Sequence, residues 1–140
     1  MPIAVTRLVM PTKLNHDILC NMTTTEVANK IVEMCRTGQN LEAIKTLYAP
    51  DVVSIEASGP AGMPLEVKGL ESVLGKSQWW MDNHEVHGAT VEGPIVTGNQ
   101  FAVGFKMDVT NKPSGKRFPM EELGVYHVKD GKVVREQFFY

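Results

Sequence analysis

Two glutamates and one tyrosine are the side chains of this sequence that could do chemistry within an otherwise apolar set of strands. Glu56 lies near the end of an apolar run at 51–57, and Glu122 and Tyr126 share one face of the segment 117–128. Two carboxyls in one desolvated site share a proton, so one can act as a base while the other donates to a substrate oxygen. The alternatives are a Glu56 at the rim or paired with a lysine, a surface Glu122, and a Tyr126 that only packs.

Metal, nucleophile and phosphate chemistry have little support in the residue spacing. His84 and His87 are three residues apart on a predicted strand and face opposite sides, which makes them a poor metal pair. Cys20 and Cys35 match no metal or redox motif, and we expect two reduced thiols in a cytoplasmic protein. No serine lies in a nucleophile elbow, and no glycine-rich loop is suited to a phosphate. The sequence therefore predicts a site without a metal or another cofactor.

The composition indicates one domain with no obvious charged or membrane partner. The chain has 140 residues, and 43% of them are hydrophobic, which is enough for a sizeable core. Its 14 basic and 16 acidic residues are mixed along the chain and give a formal net charge of -2, so nucleic acid is a poor candidate partner. No apolar run approaches the roughly 18 residues that cross a bilayer. We therefore expect no membrane-spanning segment.

Helical periodicity comes first along the chain and strand alternation follows. Thr23 and Glu26 form a capping box before the first helix, and Asp130-Gly131 predicts a tight hairpin turn near the end. This order predicts an α+β domain at 22–140, preceded by an N-terminal extension at 1–21. The predicted helices cover 26–36, 40–50 with Asn40 as the cap, and 69–83, and the predicted strands cover 51–57, 84–92, 101–109, 117–128 and 133–140.

The strand at 101–109 has one continuously apolar face, which needs a cover of helices. We expect a mostly apolar pocket for a small apolar or aromatic ligand between that face and the helices. The last strand carries aromatic residues on both faces, so an outward one favours a homodimer through the sheet. The expected pocket-lining residues are Tyr48, Trp80, Val103, Phe105, Met107 and Phe138.

Three segments carry a resemblance to a known family. They are GQNLEAIKTLYAPDVV at 38–53, VKGLESV at 67–73 and KDGKVV at 129–134. In this order they resemble the nuclear transport factor 2-like superfamily, which includes ketosteroid isomerases and SnoaL-like polyketide cyclases. The resemblance implies a cone-shaped, curved antiparallel sheet that is covered by three N-terminal helices and encloses one pocket.

The resemblance also implies roles for individual residues. Glu56 matches the carboxylate base of the isomerases, in a pocket that raises its pKa, while Glu122 and Tyr126 would orient or protonate the substrate oxygen. Val32 and Gly124 stand where the isomerases keep their two hydrogen-bond donors, which argues against a true steroid isomerase. The expected function is cofactor-free isomerisation, cyclisation or dehydration of an apolar carbonyl compound. The alternative is a non-catalytic ligand-binding or protein-interaction module.

Overall fold

Three helices form one layer of the domain, in the computed structural model, which describes residues 21–140. They are α1 (Thr24–Arg36), α2 (Asn40–Leu47) and α3 (Leu70–Asn83). The hydroxyl of Thr23 accepts the backbone N–H of Glu26 at 3.1 Å, which confirms the predicted cap of α1. None of the helices in the described range is long and apolar enough to cross a membrane. The predicted N-terminal extension lies outside the described residues except for Asn21.

Six strands form one mixed sheet against which the helices pack. The strands are β1 (Tyr48–Ile55), β2 (Glu66–Lys68), β3 (His84–Thr97), β4 (Gln100–Asn111), β5 (Lys116–Lys129) and β6 (Lys132–Phe139). Their order across the sheet is β2-β1-β6-β5-β4-β3. Every neighbouring pair is antiparallel except β1 and β6, which are parallel. The α+β class is confirmed, and one parallel pair is added to the expected antiparallel sheet.

The first two strands differ from the predicted ones. β1 begins at Tyr48 instead of at 51, so Pro50 lies inside the strand, where pairing with β6 is irregular between Tyr48 and Val53. β2 was not predicted, because three residues are too few to show an alternation. It pairs antiparallel with the end of β1 and leads directly into α3.

Two further boundaries differ. β3 does not stop at the predicted Gly93-Pro94 break but continues to Thr97, because a register shift between Glu92 and Ile95 absorbs the break. The residue at the N-cap of α2 is Gln39, and Asn40 is the first helical residue, so Asn40 does not cap the helix. Neither difference moves a candidate site residue to another face.

The inner face of β4 forms the floor of the hydrophobic core, as its alternation predicts. Phe101 and Val103 are almost completely buried in one cluster with side chains of α1 that include Val27 and Ile31. The start of β4 and the end of β5 lie side by side, and the helices cover the sheet at this end. Toward the other end of these strands the cover is incomplete, and the cavity described below opens there.

The β5–β6 hairpin sets the register of the candidate site. Asp130 and Gly131 both have positive φ, 51° and 73°, as the predicted two-residue turn requires. With this turn and an irregularity just before it, Tyr126 pairs with Glu136 and Gly124 pairs with Phe138. The turn therefore decides which side chains of β6 stand beside those of β5 on the inner face.

Candidate functional site

A cavity of about 1000 Å³ lies between the helices and the inner face of the sheet. Five of the six predicted wall residues line it: Tyr48, Trp80, Phe105, Met107 and Phe138. The prediction for Val103 is wrong. Its side chain faces the same side of β4, but it is completely buried in the hydrophobic core, so the side chains packed over it separate it from the cavity.

Three polar side chains form a row across neighbouring strands on the inner face of the sheet, and two of them, Tyr126 and Glu136, line the cavity. Tyr126 of β5 pairs with Glu136 of β6, and Glu136 pairs in turn with Ser54 of β1. Paired residues of adjacent strands lie side by side on one face of a sheet. The sheet therefore brings together three polar groups that are far apart in sequence, and all three are buried.

Glu136 is the centre of this row, and sequence reasoning did not single it out. It is only 3% exposed, yet both carboxylate oxygens are satisfied: Oε1 accepts the hydroxyl of Ser54 at 2.7 Å and Oε2 accepts the hydroxyl of Tyr48. Burial raises the pKa of Glu136, and its two hydrogen bonds oppose that effect. The available signal was its alternation with the aromatic Phe138 on one face of the last strand.

Glu56 is not in the apolar environment that we expected. Lys76 of α3 lies 2.7 Å from its Oε1, and the hydroxyl of Tyr140 lies 3.2 Å from its Oε2. The structure therefore matches the alternative of a Glu56 paired with a lysine, and not the desolvated base that the resemblance implies. Lys76 also donates to the hydroxyl of Ser54, so the cation links Glu56 to the row on the sheet.

Glu122 has the surroundings that we had expected of Glu56. Its half-buried side chain lines the cavity, and within residues 21–140 it makes neither a hydrogen bond nor an ion pair. Burial first, and then the negative charges of Glu56 and Glu136, raise the pKa of Glu122 to about 7, while Lys76 acts in the opposite direction. At neutral pH this carboxyl can therefore either accept or donate a proton.

Tyr126 leans over Gly124 toward the position of Glu122. A Cβ on residue 124 would lie 2.8 Å from Cε2 and 2.9 Å from the hydroxyl oxygen of Tyr126, so the ring occupies the space of a side chain there. Phe101 stacks on the ring at 4.7 Å, and Phe138 meets it edge-on at 6.2 Å. Gly124 therefore removes one donor that the resemblance places on this strand and makes room for the phenol of another.

The hydroxyl of Tyr126 is available to a molecule in the cavity. No hydrogen-bond partner of this hydroxyl occurs in the part of the chain that the structure describes, and the residue lines the cavity. Burial and the charge of Glu136 raise the pKa of Tyr126 well above its ordinary value, so the phenol keeps its proton. Tyr126 can therefore donate a hydrogen bond to an oxygen that gains negative charge.

Aromatic side chains surround another part of the cavity. The rings of Trp80 and His84 are stacked at 4.5 Å, and the exposed Trp79 lines the same cavity. His84 bonds the carbonyl of Trp80, and His87 bonds the hydroxyl of Thr110, so each imidazole has a structural partner. Among residues 21–140, no three histidine, cysteine or acidic side chains are arranged to hold a metal ion.

Cys35 is a free thiol on the cavity wall, whereas Cys20 lies outside the described residues. Burial, followed by the charge of Glu136, raises the pKa of Cys35 to about 11. A thiol with this pKa is a poor nucleophile at neutral pH because almost none of it is ionised. The candidate chemistry therefore belongs to the carboxyl of Glu122 and the phenol of Tyr126.

Solved structures support the fold, and they include a relative with high sequence identity to this chain. A protein from Mesorhizobium loti, described as a SnoaL-like polyketide cyclase, is 47% identical over 85% of this chain and 100% of its own, with a TM-score of 0.79. A protein from Bacillus subtilis that is described as an isomerase is 18% identical over 84% of this chain and 88% of its own, with a TM-score of 0.66. At that identity the second similarity shows the fold alone.

A ketosteroid isomerase-like fold from Catenulispora acidiphila shows the same architecture at 20% identity. It covers 84% of this chain and 87% of its own, with a TM-score of 0.65. A search of the curated proteins finds no match to this chain. The model of the SnoaL-like domain matches residues 22–140, which is most of the sequence. Together with the Mesorhizobium relative, this match shows that the chain belongs to the SnoaL-like domain family, with the fold of polyketide cyclases and ketosteroid isomerase-like proteins.

Proposed function

We propose that this protein binds a small apolar or aromatic carbonyl compound and moves a proton on it without a cofactor. Glu122 is the base and Tyr126 is the donor to the carbonyl oxygen. One observation carries the proposal: both groups face one cavity with no partner among the described residues, while Glu56 is paired with Lys76. This differs from the sequence-based expectation, which made Glu56 the base.

The proposed step begins with transfer of a proton from the carbon next to the carbonyl to a carboxylate oxygen of Glu122. The electron pair of the broken C–H bond moves into the carbonyl group, and the hydroxyl of Tyr126 stabilises the resulting oxyanion. Return of the proton to another carbon gives isomerisation. Attack of the enolate carbon on a second carbonyl, whose oxygen takes the proton from Glu122, gives cyclisation. Expulsion of a hydroxyl group from the neighbouring carbon, which takes the same proton and leaves as water, gives dehydration.

The walls of the cavity support an apolar ligand with one polar end. Aromatic and aliphatic side chains such as Phe105, Met107 and Trp80 cover most of the surface, and the two groups assigned to the reaction, Glu122 and Tyr126, lie together on β5. A cavity of about 1000 Å³ is at the upper end of the range that small-molecule sites occupy. A ligand of one or several fused rings therefore fits better than a small polar metabolite.

Native mass spectrometry of the purified protein tests ligand binding directly. We expect one neutral carbonyl compound, or one supplied from a library of aromatic ketones, to remain bound to each chain. Ser77→Leu should weaken retention, since the half-buried Ser77 lines the cavity and a larger side chain there takes up part of its volume. Gln78→Leu on the exposed side of α3 is the matched control. Equal retention by both variants would contradict a ligand in this cavity.

The outer face of the sheet supports the proposed homodimer. Leu123 of β5 and Phe139 of β6 are paired across the two strands and are 43% and 49% exposed. We expect sedimentation velocity to give a dimer and Leu123→Lys to give a folded monomer, because a charge in the middle of an apolar interface is costly. Lys129→Leu at an exposed end of β5 controls for general surface changes. A monomeric native protein would exclude this interface.

A further inference from the structure

Glu136 is a buried acid that the proposed proton transfer does not use. We propose that Glu136 is a positioning residue, which holds Lys76 against Glu56 through Ser54 and keeps a negative charge behind Glu122. The inference rests on the proposed role of Glu122, but its central measurement needs no substrate. It assigns a task to Glu136, which is the only buried carboxyl among residues 21–140.

The hydrogen bonds of Glu136 favour its charged form. Tyr48 and Ser54 each have one hydroxyl proton, and each hydroxyl oxygen lies against a different carboxylate oxygen of Glu136. The ammonium of Lys76 donates to Ser54, so the hydroxyl of Ser54 must direct its own proton toward Glu136. The chain of donors therefore runs from Lys76 through Ser54 to a carboxylate acceptor, which is the arrangement that a buried anion requires.

The same chain places Lys76 where it pairs with Glu56. Its Nζ lies 2.7 Å from Oε1 of Glu56 and 5.7 Å from the centre of the Phe138 ring. Without the negative charge of Glu136, Ser54 would no longer be held as an acceptor for Lys76. The ammonium would then be held by Glu56 alone, with one tether fewer against movement toward Glu122.

The charges around Glu122 come from several elements. Glu56 after β1 and Glu136 of β6 are negative, and Lys76 of α3 is positive. The other titratable groups lining the cavity are Cys35 and Arg36 of α1, Tyr48 of β1, His84 of β3, Tyr126 of β5 and the C-terminal Tyr140.

Most of these other groups do not change the balance of charge around Glu122. Arg36 keeps its positive charge, but two hydrogen bonds to the carbonyl of Val91 hold its guanidinium, and it is not among the charges that shift the pKa of Glu122. Cys35 and Tyr126 stay protonated at neutral pH because their pKa values are raised. The charges that act on Glu122 are therefore two carboxylates, Glu56 and Glu136, and one ammonium, Lys76. This excess favours the protonated form of Glu122 and a phenol, not a phenolate, at Tyr126.

The test is a carbon-13 NMR titration of the Glu122 side-chain carboxyl in the full chain, assigned by its loss in Glu122→Gln. In Glu136→Gln, which keeps the shape and loses the charge, we expect the pKa of Glu122 to fall by roughly one, a tenfold change in proton affinity. In Lys76→Met, we expect it to rise. Glu121→Gln is the control, because this neighbouring glutamate is exposed on the outer face of β5.

An unchanged pKa of Glu122 in folded Glu136→Gln would overturn the proposal, because a purely structural role predicts lower stability and no shift. If that variant does not fold, Lys76→Met decides in the same way, and an unchanged or lower pKa there overturns it. The proposed function fails by a different result, which is normal turnover by Glu122→Gln. A shift in the titration together with normal turnover would support this inference and contradict the proposed base.

Discussion

Glu122→Gln is expected to lower turnover of the carbonyl substrate by about 10²- to 10⁴-fold, the usual contribution of one general acid or base. Glutamine keeps the size of the side chain but cannot accept a proton from carbon. Because Glu122 has no partner among residues 21–140, the substitution breaks no hydrogen bond or ion pair there, and we expect a folded variant. The measurement is turnover of the ligand identified by mass spectrometry.

Glu56→Gln is the matched comparison, because both glutamates line the same cavity. It should lower turnover less than Glu122→Gln does, since Glu56 is occupied by Lys76 and by the hydroxyl of Tyr140. The reverse order of effects would return the role of base to Glu56, as the family resemblance implies. Normal turnover in both variants would favour the alternative of a non-catalytic binding module.

The pH dependence of kcat/KM should show that Glu122 acts in its ionised form. A base must be ionised, so the rate should rise with pH and level off above the pKa of Glu122, which is about 7.

The stability of the folded protein should change with pH in the opposite direction to the rate. Because the folded pKa is higher than the ordinary 4.5 of a glutamate, ionisation opposes folding, and stability falls as pH rises from about 4.5 to 7. Glu122→Gln should lose this part of the pH dependence.

The general architecture could be predicted because local patterns and global fold agree. The capping motif at Thr23, the alternation at 101–109 and the Asp130-Gly131 turn each indicate the element that the structure contains. The parallel pairing of β1 with β6 could not be predicted from these signals. It depends on a contact between the two ends of the domain, for which the sequence has no local pattern.

The site could be predicted only in part, because strand alternation gives the face of a side chain but not its neighbours. It places Glu122 and Tyr126 on one face correctly, yet it does not reveal that Lys76 reaches Glu56 from α3. Glu136 was missed for the same reason. An acidic residue in a strand is usually exposed, and only the pairing with Ser54 and Tyr126 makes this one the centre of a buried row.

Gly124→Ala should damage both stability and turnover, although it adds a single methyl group. The new Cβ would lie 2.8 Å from Cε2 of Tyr126, and the ring cannot move aside easily because Phe101 stacks on it and Phe138 meets its edge. Overpacking of this kind costs about 1–3 kcal/mol. We expect urea denaturation to show that loss and turnover to fall at least tenfold, since the phenol is pushed from its place beside Glu122.

A double-mutant cycle separates this contact from a general effect on β5. In a Tyr126→Leu background the ring is absent, so Gly124→Ala should cost little additional stability and little additional turnover. Ala102→Gly and Gly104→Ala on the opposite face of β4 are controls for changes of backbone freedom, because a Cβ on residue 104 would have no contact closer than 3.7 Å. If Gly124→Ala were equally harmful with leucine at 126, the glycine would be required by the strand itself. The proposed exchange, in which a glycine at 124 makes room for the phenol of Tyr126, would then be wrong.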